Sequence, residues 1–512
     1  MSDSPPSTAA LLQRAVALHQ QGSFDAASAL YQQVLAREPR QFDALHLAGV
    51  IARQQGDAGA AVTLIGQAIA VDGSHARAHC NLGAALADLG RSGEALASYE
   101  RAIALDGGYA LAHSNRGNAL RTLGRLDDAI ASYECALRLQ PASYDAACQR
   151  AIALHDQGRH QQAQDGAEYA LRLRPAQPQA WSARGNALHA QGDFTEALAS
   201  FERAIALGGP RADVLGWRGG AQFKLGQFEA ALASFEAALA LRPDHAGSAL
   251  RRAHALDALG RHDAAAAVFD DALALGADRG QVHFALAALG RLPAPAAAPA
   301  AYVTALFDQY ADHFDAHLVD QLAYRTPQLV AAALERSGVS AGAALDVADL
   351  GCGTGLCGAL LRPLATSLAG VDLSPAMLER ARARGLYDTL VCADIAAFLA
   401  GRVAAFDLLV AADVLVYIGA LDALFRAARQ ALRPGGRFCF SVELADQADF
   451  VLTPSRRYAH SAAYIGALAA ANGLAVIEAA GAPLRRERGA DVDGVVFVLA
   501  KGRDAPVMRD CA

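Results

Sequence analysis

One heptapeptide concentrates the residues best able to approach a ligand: Asp349-Leu350-Gly351-Cys352-Gly353-Thr354-Gly355. It follows a short apolar run and opens a helical stretch. Glycines there let the backbone come close to a bound molecule and present amides near a helix start. Two further carboxylates close the next apolar runs, Asp372 before Leu373 and Asp394 before Ile395. A strand-end carboxylate can accept from paired sugar hydroxyls, which suits Asp372, or from an adenine amino group, which suits Asp394 with Ile395 against the ring. Each alone is more often a helix cap. With the glycine loop they form one constellation around a shared crevice.

The loop taken by itself can serve NAD, FAD or S-adenosylmethionine. Its spacing is GxGxG with an acid two residues before the first glycine, whereas a nicotinamide fingerprint reads GxGxxG. No lysine follows as in a phosphate-binding loop.

Alternating apolar runs and helical segments supply the frame, the pattern of a parallel α/β sheet. Strands are expected at 346–350, 367–372, 390–393, 406–412, 437–442, 475–479 and 495–500, seven in all. Helices are expected at 355–364, 375–384 after the capping Ser374, 421–432 and 461–471. The last two strands leave no room for a crossover helix between them.

The first half follows another rule. Glycine recurs at 22, 56, 90, 124, 158, 192, 226 and 260, and alanine at 27 through 265, always 34 residues apart. Small residues recur at Gly49, Gly83, Gly117, Ala151, Gly185, Gly219 and Ala253. Large ones follow at Tyr31, Ile65, Tyr99, Tyr133, Phe201, Phe235 and Phe269, with one lapse at Ala167. Each unit reads as two amphipathic helices joined at the recurring glycine, the small residues allowing close approach. Residues 281–289 read as a helix closing the array's last apolar face. The period stops at the segment 292–300, LPAPAAAPA, whose prolines and alanines are the composition of a semi-rigid linker.

Period and motif positions resemble the tetratricopeptide repeat family over residues 8–279. The glycine loop, Asp372 and Asp394 resemble the class I S-adenosylmethionine-dependent methyltransferases over 345–501, a likeness extended by Phe406–Leu415 and Leu432–Arg437. A closer likeness takes in Phe307–Asp315 and Tyr324-Arg325, and the whole resembles bacterial methyltransferases preceded by tetratricopeptide repeats. The implied fold is an all-α repeat superhelix followed by a Rossmann-like seven-stranded α/β domain. Its divisions would be a disordered start at 1–7, repeats at 8–291, the linker, a methyltransferase domain at 301–502 and a tail at 503–512.

The resemblance implies an S-adenosyl-L-methionine site made of Asp349, Gly351, Cys352, Gly353, Gly355, Asp372, Leu373, Asp394, Ile395 and Ala411. Methyl transfer is an in-line displacement, so alignment and exclusion of water come first. An oxygen or nitrogen acceptor can also need a base, for which His460 ranks first, with Asp413 and Tyr417 beyond the fourth strand. Helix-start or structural roles are the alternatives for His460 and Asp413. Tyr310, Phe314, Tyr324 and Arg325 would form either a lid or a packed helix. Cys352 and Cys357 are expected as small fillers. No Asn-Pro-Pro-Tyr signature of amide or exocyclic-amine methylation occurs.

The implied partner is a protein or peptide held on the repeats' concave face, including Asn118, Arg121, Asn186, His189, Phe223 and His254. Trp181 and Trp217 are expected to pack. The methyl acceptor, small molecule or protein, is unspecified. An interaction scaffold that only binds the cofactor is the alternative reading.

Composition narrows the classes. Residues 301–512 hold 23 acids and 19 bases, leaving 29 and 26 of the 52 and 45 for the rest, so neither part has the basic excess of a nucleic-acid binder. No secretory signal and no membrane span is visible. The eight scattered cysteines form no CxxC pair, so neither metal site nor disulfide framework is expected, and the reading is cytoplasmic.

Overall fold

Small residues decide how the repeats close. In the unit of helices Ala110–Thr122 and Leu126–Leu139, a Cβ added to Gly117 would lie 2.5 Å from the Tyr133 ring. The two helices therefore meet backbone to ring, with Ala129, Tyr133 and Ala136 buried between them. Gly124 answers a different need. It turns the chain at φ +75° with open space around it. The same pairing recurs as Gly83 on Tyr99, Gly185 on Phe201 and Gly219 on Phe235. Where the large residue lapses, Ala167 is buried and the neighbouring Gly166 packs on Ala151 directly.

The computed structural model describes residues 6–311, 314–316, 324–446, 448–487 and 490–502. Residues 1–5 of the expected disordered start 1–7 and the expected tail, 503–512, lie outside them, as do Asp312 and His313. The chain forms two compact units, residues 1–243 and 244–512. The first holds fourteen helices, Thr8–Gln20 through Phe228–Leu241, among its described residues. Ser7 caps the first of them through its side chain. Arg116, Arg150 and Arg184, again 34 residues apart, reach back to Glu100, Glu134 and Glu168 at 3.5, 2.7 and 3.3 Å. This ladder ties the fourth, fifth and sixth repeats each to the one before it.

The second unit begins earlier than the composition suggests. It includes the eighth repeat, helices Ala246–Ala258 and His262–Ala274, and the closing helix Arg279–Ala288. The proline segment expected as a linker is built into this unit. Ala296 O accepts from the amides of Gly419 and Ala420 at 2.8 and 2.9 Å, and Ala298 N donates to Tyr417 O at 2.9 Å. Its extended backbone supplies the edge of a short β-bridge, Ala297 to Ile418.

The sheet comprises β1 (Leu345–Leu350), β2 (Ala365–Asp372), β3 (Thr389–Cys392), β4 (Phe406–Ala411), β5 (Leu432–Leu444), β6 (Phe450–Leu452), β7 (Tyr458–His460), β8 (Leu474–Glu487) and β9 (Ala490–Lys501). Along the main path the order is β3-β2-β1-β4-β5-β9-β8, with β9 antiparallel to both neighbours. These are the seven expected strands, the last two longer than expected. The short β6 and β7 are additional and hang on the end of β5, where Glu443 and Leu444 pair with Ala459 and His460. Both faces of β4 are buried: Leu408 and Val410 pack with Val330 and Val347, Leu409 and Ala411 with Phe425 and Phe440. The helix expected at 355–364 shrinks to Gly358–Leu361, with a 3-10 turn at Arg362–Leu364 around Pro363.

Candidate functional site

Strand order reverses between β1 and β4, and the carboxyl ends of these strands open the crevice where open α/β sheets hold ligands. Gly351, Gly353 and Gly355 all adopt positive φ, at +71°, +54° and +90°. A side chain on Gly351 would collide with Val414 beyond β4, and one on Gly355 would press on Tyr387 and Arg384. The loop is therefore glycine because two walls converge on it.

Four of its amides are already satisfied. Gly351 N and Cys352 N both donate to Val371 O, at 2.7 and 3.0 Å, and Gly355 N donates to Cys352 O at 2.9 Å. Gly353 N donates to Asp372 Oδ2 at 2.9 Å, while Asp372 Oδ1 accepts from Ser374 N at 2.9 Å. The expectation that the loop presents its amides at a helix start does not hold for these four. The donors turn inward, and the following helix is a single turn.

Two carboxyls stand by the loop, Asp349 buried and Asp372 half-buried. Asp349 is 1% exposed and accepts from the phenol of Tyr387 at 2.6 Å. Burial pushes its carboxyl up to about 7, the Tyr387 bond opposes this, and neighbouring Asp372 adds to it. Burial raises Asp372 too, against its bonds to the Ser374 and Gly353 amides. Burial also pushes the Cys352 and Cys357 thiols up, which suits packing rather than nucleophilic attack.

Asp394 caps helix Ile395–Leu399, its Oδ1 accepting from the amides of Ala396 and Ala397 at 2.9 and 3.0 Å. Ile395 and Ala411 are buried, and Leu373 lies half-buried between Asp372 and Ser374.

A segment before β1 lies across the loop. In helix Ala300–Tyr310, Asp308 accepts from Ser374 Oγ at 2.5 Å and Ala376 N at 3.3 Å. Asp315 accepts from Thr354 Oγ1 at 2.5 Å and pairs with Arg384, which also donates to Thr354 O. Phe314 stands over Gly353 and meets Phe307 and Tyr310 edge-on, and Phe307 meets Tyr417. Arg325 donates its amide to Leu484 O at 3.0 Å.

The expected base falls elsewhere. His460 ends β7, two residues before helix Ala462–Ala471, and is completely buried. Its Nε2 donates to the carbonyls of Ile418 and Gly419 at 2.9 and 3.1 Å, and burial lowers its pKa. A neutral ring with its proton tied to backbone is a structural histidine, so the first-ranked base is corrected. Asp413 has φ +58° and is paired with Arg485 at 3.3 Å. Arg485, 2% exposed, also holds Glu443 at 2.5 Å. Tyr417 is pushed up to about 12 by burial, with Arg457 opposing and Asp413 reinforcing the shift. Sequence reasoning missed Tyr387, which lies 38 residues from its partner Asp349, and Arg485, which lies 72 and 42 residues from its partners Asp413 and Glu443.

Several residues expected to face a partner have partners of their own. Asn118 Oδ1 accepts from Tyr133 at 2.7 Å, and Arg121 pairs with Asp156 at 3.3 Å. His189 and Phe223 meet Phe194 and Phe228 edge-on, while Asn186 is half-buried. Trp181 and Trp217 pack beside Phe201, as expected. His254 takes Arg456.

No helix among the described residues is long and apolar enough to cross a membrane. Family models described as methyltransferase domain match residues 348–440, and models described as tetratricopeptide repeat match 12–70, 76–109, 110–143, 148–212 and 218–281. The chain is 37% identical over 101 residues to the biotin biosynthesis bifunctional protein BioHC of Saccharophagus degradans, covering 19% of this chain and 18% of that one. It is 41% identical over 85 residues to methyltransferase-like protein 27 of Homo sapiens, covering 16% and 34%. The chain thus spans about a third or less of either relative. A tetratricopeptide repeat protein structure from Parabacteroides merdae aligns over 46% of this chain and 93% of its own, at 19% identity and a TM-score of 0.40. With a 34-residue helical repeat in one half and a glycine loop at the sheet's reversal in the other, the chain is a tetratricopeptide-repeat protein that carries a methyltransferase domain.

Proposed function

We propose that the second unit transfers a methyl group from S-adenosyl-L-methionine to an acceptor, and that the repeats dock the protein that brings or is that acceptor. One observation carries the cofactor assignment. The glycine loop spends four of its amides on Val371, Asp372 and Cys352, which leaves a poor cradle for a pyrophosphate, while the half-buried carboxylate of Asp372 stands at the end of β2 and the buried Asp349 lies behind the loop. Such a site disfavours a dinucleotide and suits a cation with a sugar diol.

Asp372 would hold the ribose hydroxyls with the lone pairs its two amide bonds leave over. Leu373 and Ile395 would flank the base, Asp394 would accept from its amino group, and Asp349 would offset positive charge from beneath the loop. When bound, the cofactor supplies an electrophilic methyl group on a sulfonium. The chain's part is then alignment and dryness: Phe307, Phe314 and Tyr417 wall the crevice with aromatic rings and keep water from the line of attack. With His460 tied to backbone and Asp413 paired with Arg485, alignment takes precedence over proton abstraction.

Calorimetric titration of the full chain with S-adenosylmethionine and S-adenosylhomocysteine, wild type beside Asp372→Ala, tests this. Micromolar binding that the substitution abolishes supports the reading. A folded wild-type protein that binds neither sinks it and leaves the repeat scaffold as the function.

A further inference from the structure

The turn between β6 and β7 carries two adjacent arginines that reach in different directions. It is closed by its own bonds: Thr453 N donates to Arg457 O at 2.8 Å, Arg456 N to Thr453 O at 2.8 Å, and Thr453 Oγ1 to Arg457 O at 2.9 Å. Arg456 sits at φ +62°, a left-handed conformation disfavoured for any residue with a Cβ. A strained residue that persists is held by its surroundings.

What holds it is the eighth repeat. The Arg456 guanidinium donates to Nδ1 of His254 at 3.0 Å and to Oδ2 of Asp257 at 2.9 Å, both on helix Ala246–Ala258. Burial and the nearby guanidinium groups of Arg456 and Arg251 lower His254 to about 3, so the ring is neutral and its Nδ1 accepts. Around this contact, Phe284 of the closing helix packs with Tyr458 and Leu452, and the Tyr458 phenol donates to Pro295 O at 2.7 Å.

The other arginine looks toward the crevice. Arg457 Nη1 lies 3.5 Å from Glu443 Oε1, the oxygen that also receives Arg485, and Arg485 holds Asp413. Backbone pairing of Glu443 with Ala459 makes a second tie between the turn's strand and β5. Asp413 anchors its amide on Ser441 Oγ at 2.8 Å, and the next residue, Val414, packs directly on Gly351 of the glycine loop.

We infer that Arg456 is a positioning residue for methyl transfer. Its anchorage on the eighth repeat keeps Arg457, Glu443 and Arg485 aligned with Asp413, and so fixes the end of β4 against the glycine loop. The inference rests on the reading of that loop as the cofactor site. It makes the eighth repeat part of the catalytic machinery as well as the end of an array. A cycle of variants reads this coupling directly.

The test uses the full chain as wild type, Arg456→Ala, Arg456→Lys, Asp413→Ala and the double alanine variant. S-adenosylhomocysteine is titrated into each, and amide exchange of residues 413–417 is followed without ligand. The expected result is that Arg456→Ala weakens binding about fivefold and speeds exchange at 413–417. It should add little once Asp413 is alanine, and lysine, still able to reach Asp257, should restore part of the loss. Multiplicative losses, or a lowered melting temperature with unchanged affinity and unchanged exchange, would reduce Arg456 to a fastener and overturn the inference. A wild-type protein that binds no cofactor defeats the underlying reading, while the exchange arm still decides the positioning.

Discussion

The phenol of Tyr387 donates to Asp349 at 2.6 Å beneath the glycine loop. Two groups that water would keep apart thus share a proton-rich, dry setting, with the carboxyl near 7. Because its folded pKa is raised, Asp349 costs stability as pH climbs from about 4, where the unfolded group ionises, to about 7, where the folded one does. Below that window the folded chain loses nothing to this group.

The same titration reaches the cofactor. A sulfonium favours the ionised carboxyl, so S-adenosylmethionine should bind about tenfold more tightly at pH 8 than at pH 6. S-adenosylhomocysteine, whose sulfur is uncharged, should change much less. Calorimetry of both ligands across that range checks it, and parallel curves would remove Asp349 from the site.

Tyr387→Phe should move that dependence upward. The lost bond favoured the ionised carboxyl, so without it Asp349 holds its proton to higher pH. The midpoint of the affinity curve is the quantity to read.

Replacing Arg485 by methionine should cost about 3–5 kcal/mol, since Asp413 and Glu443 would then face each other in a buried space. Urea unfolding followed through exchange of β5 amides measures it. A loss under about 1 kcal/mol would mean that water already screens the cluster.

His460→Asn should lower stability by about 1–3 kcal/mol through the two carbonyls it leaves unpaired. It should not change the shape of the pH profile of S-adenosylhomocysteine release. A lost limb near neutrality would restore His460 as a base.

In the repeats, Gly117→Ala should cost about 1–3 kcal/mol, because the Tyr133 ring has nowhere to go. Gly124→Ala should cost about 1 kcal/mol, because only its φ is at issue. Exchange within residues 110–139 separates the two.

The sequence was most legible where a rule repeats. Thirty-four-residue spacing made Gly117, Tyr133 and Gly124 readable as contact, filler and turn before any coordinates, and apolar runs marked the seven main strands. Legibility failed where partners are distant or elements short. Phe450–Leu452 and Tyr458–His460 are three residues each, too brief for alternation to register, so His460 read as a candidate base, with a helix start as the alternative, and not as the end of a strand. The arginine–glutamate ladder has the repeat's own period and was open to the same counting. Prolines in 292–300 marked a segment between helices. What that backbone pairs with is set by Ile418, more than a hundred residues on. Inward amides in the glycine loop were not readable either, because glycine spacing fixes where the chain can turn and not which acceptors surround it.

The division after Pro243 has a bearing on how such a chain can change length. Because His254 and Asp257 answer to Arg456, the eighth repeat is constrained by a distant turn as well as by its neighbours in the array. Whole repeats gained or lost upstream of Pro243 would leave the contacts of Arg456 with His254 and Asp257 within the second unit. Variation in repeat number should therefore accumulate toward the amino end, with the final helical pair keeping its histidine and aspartate.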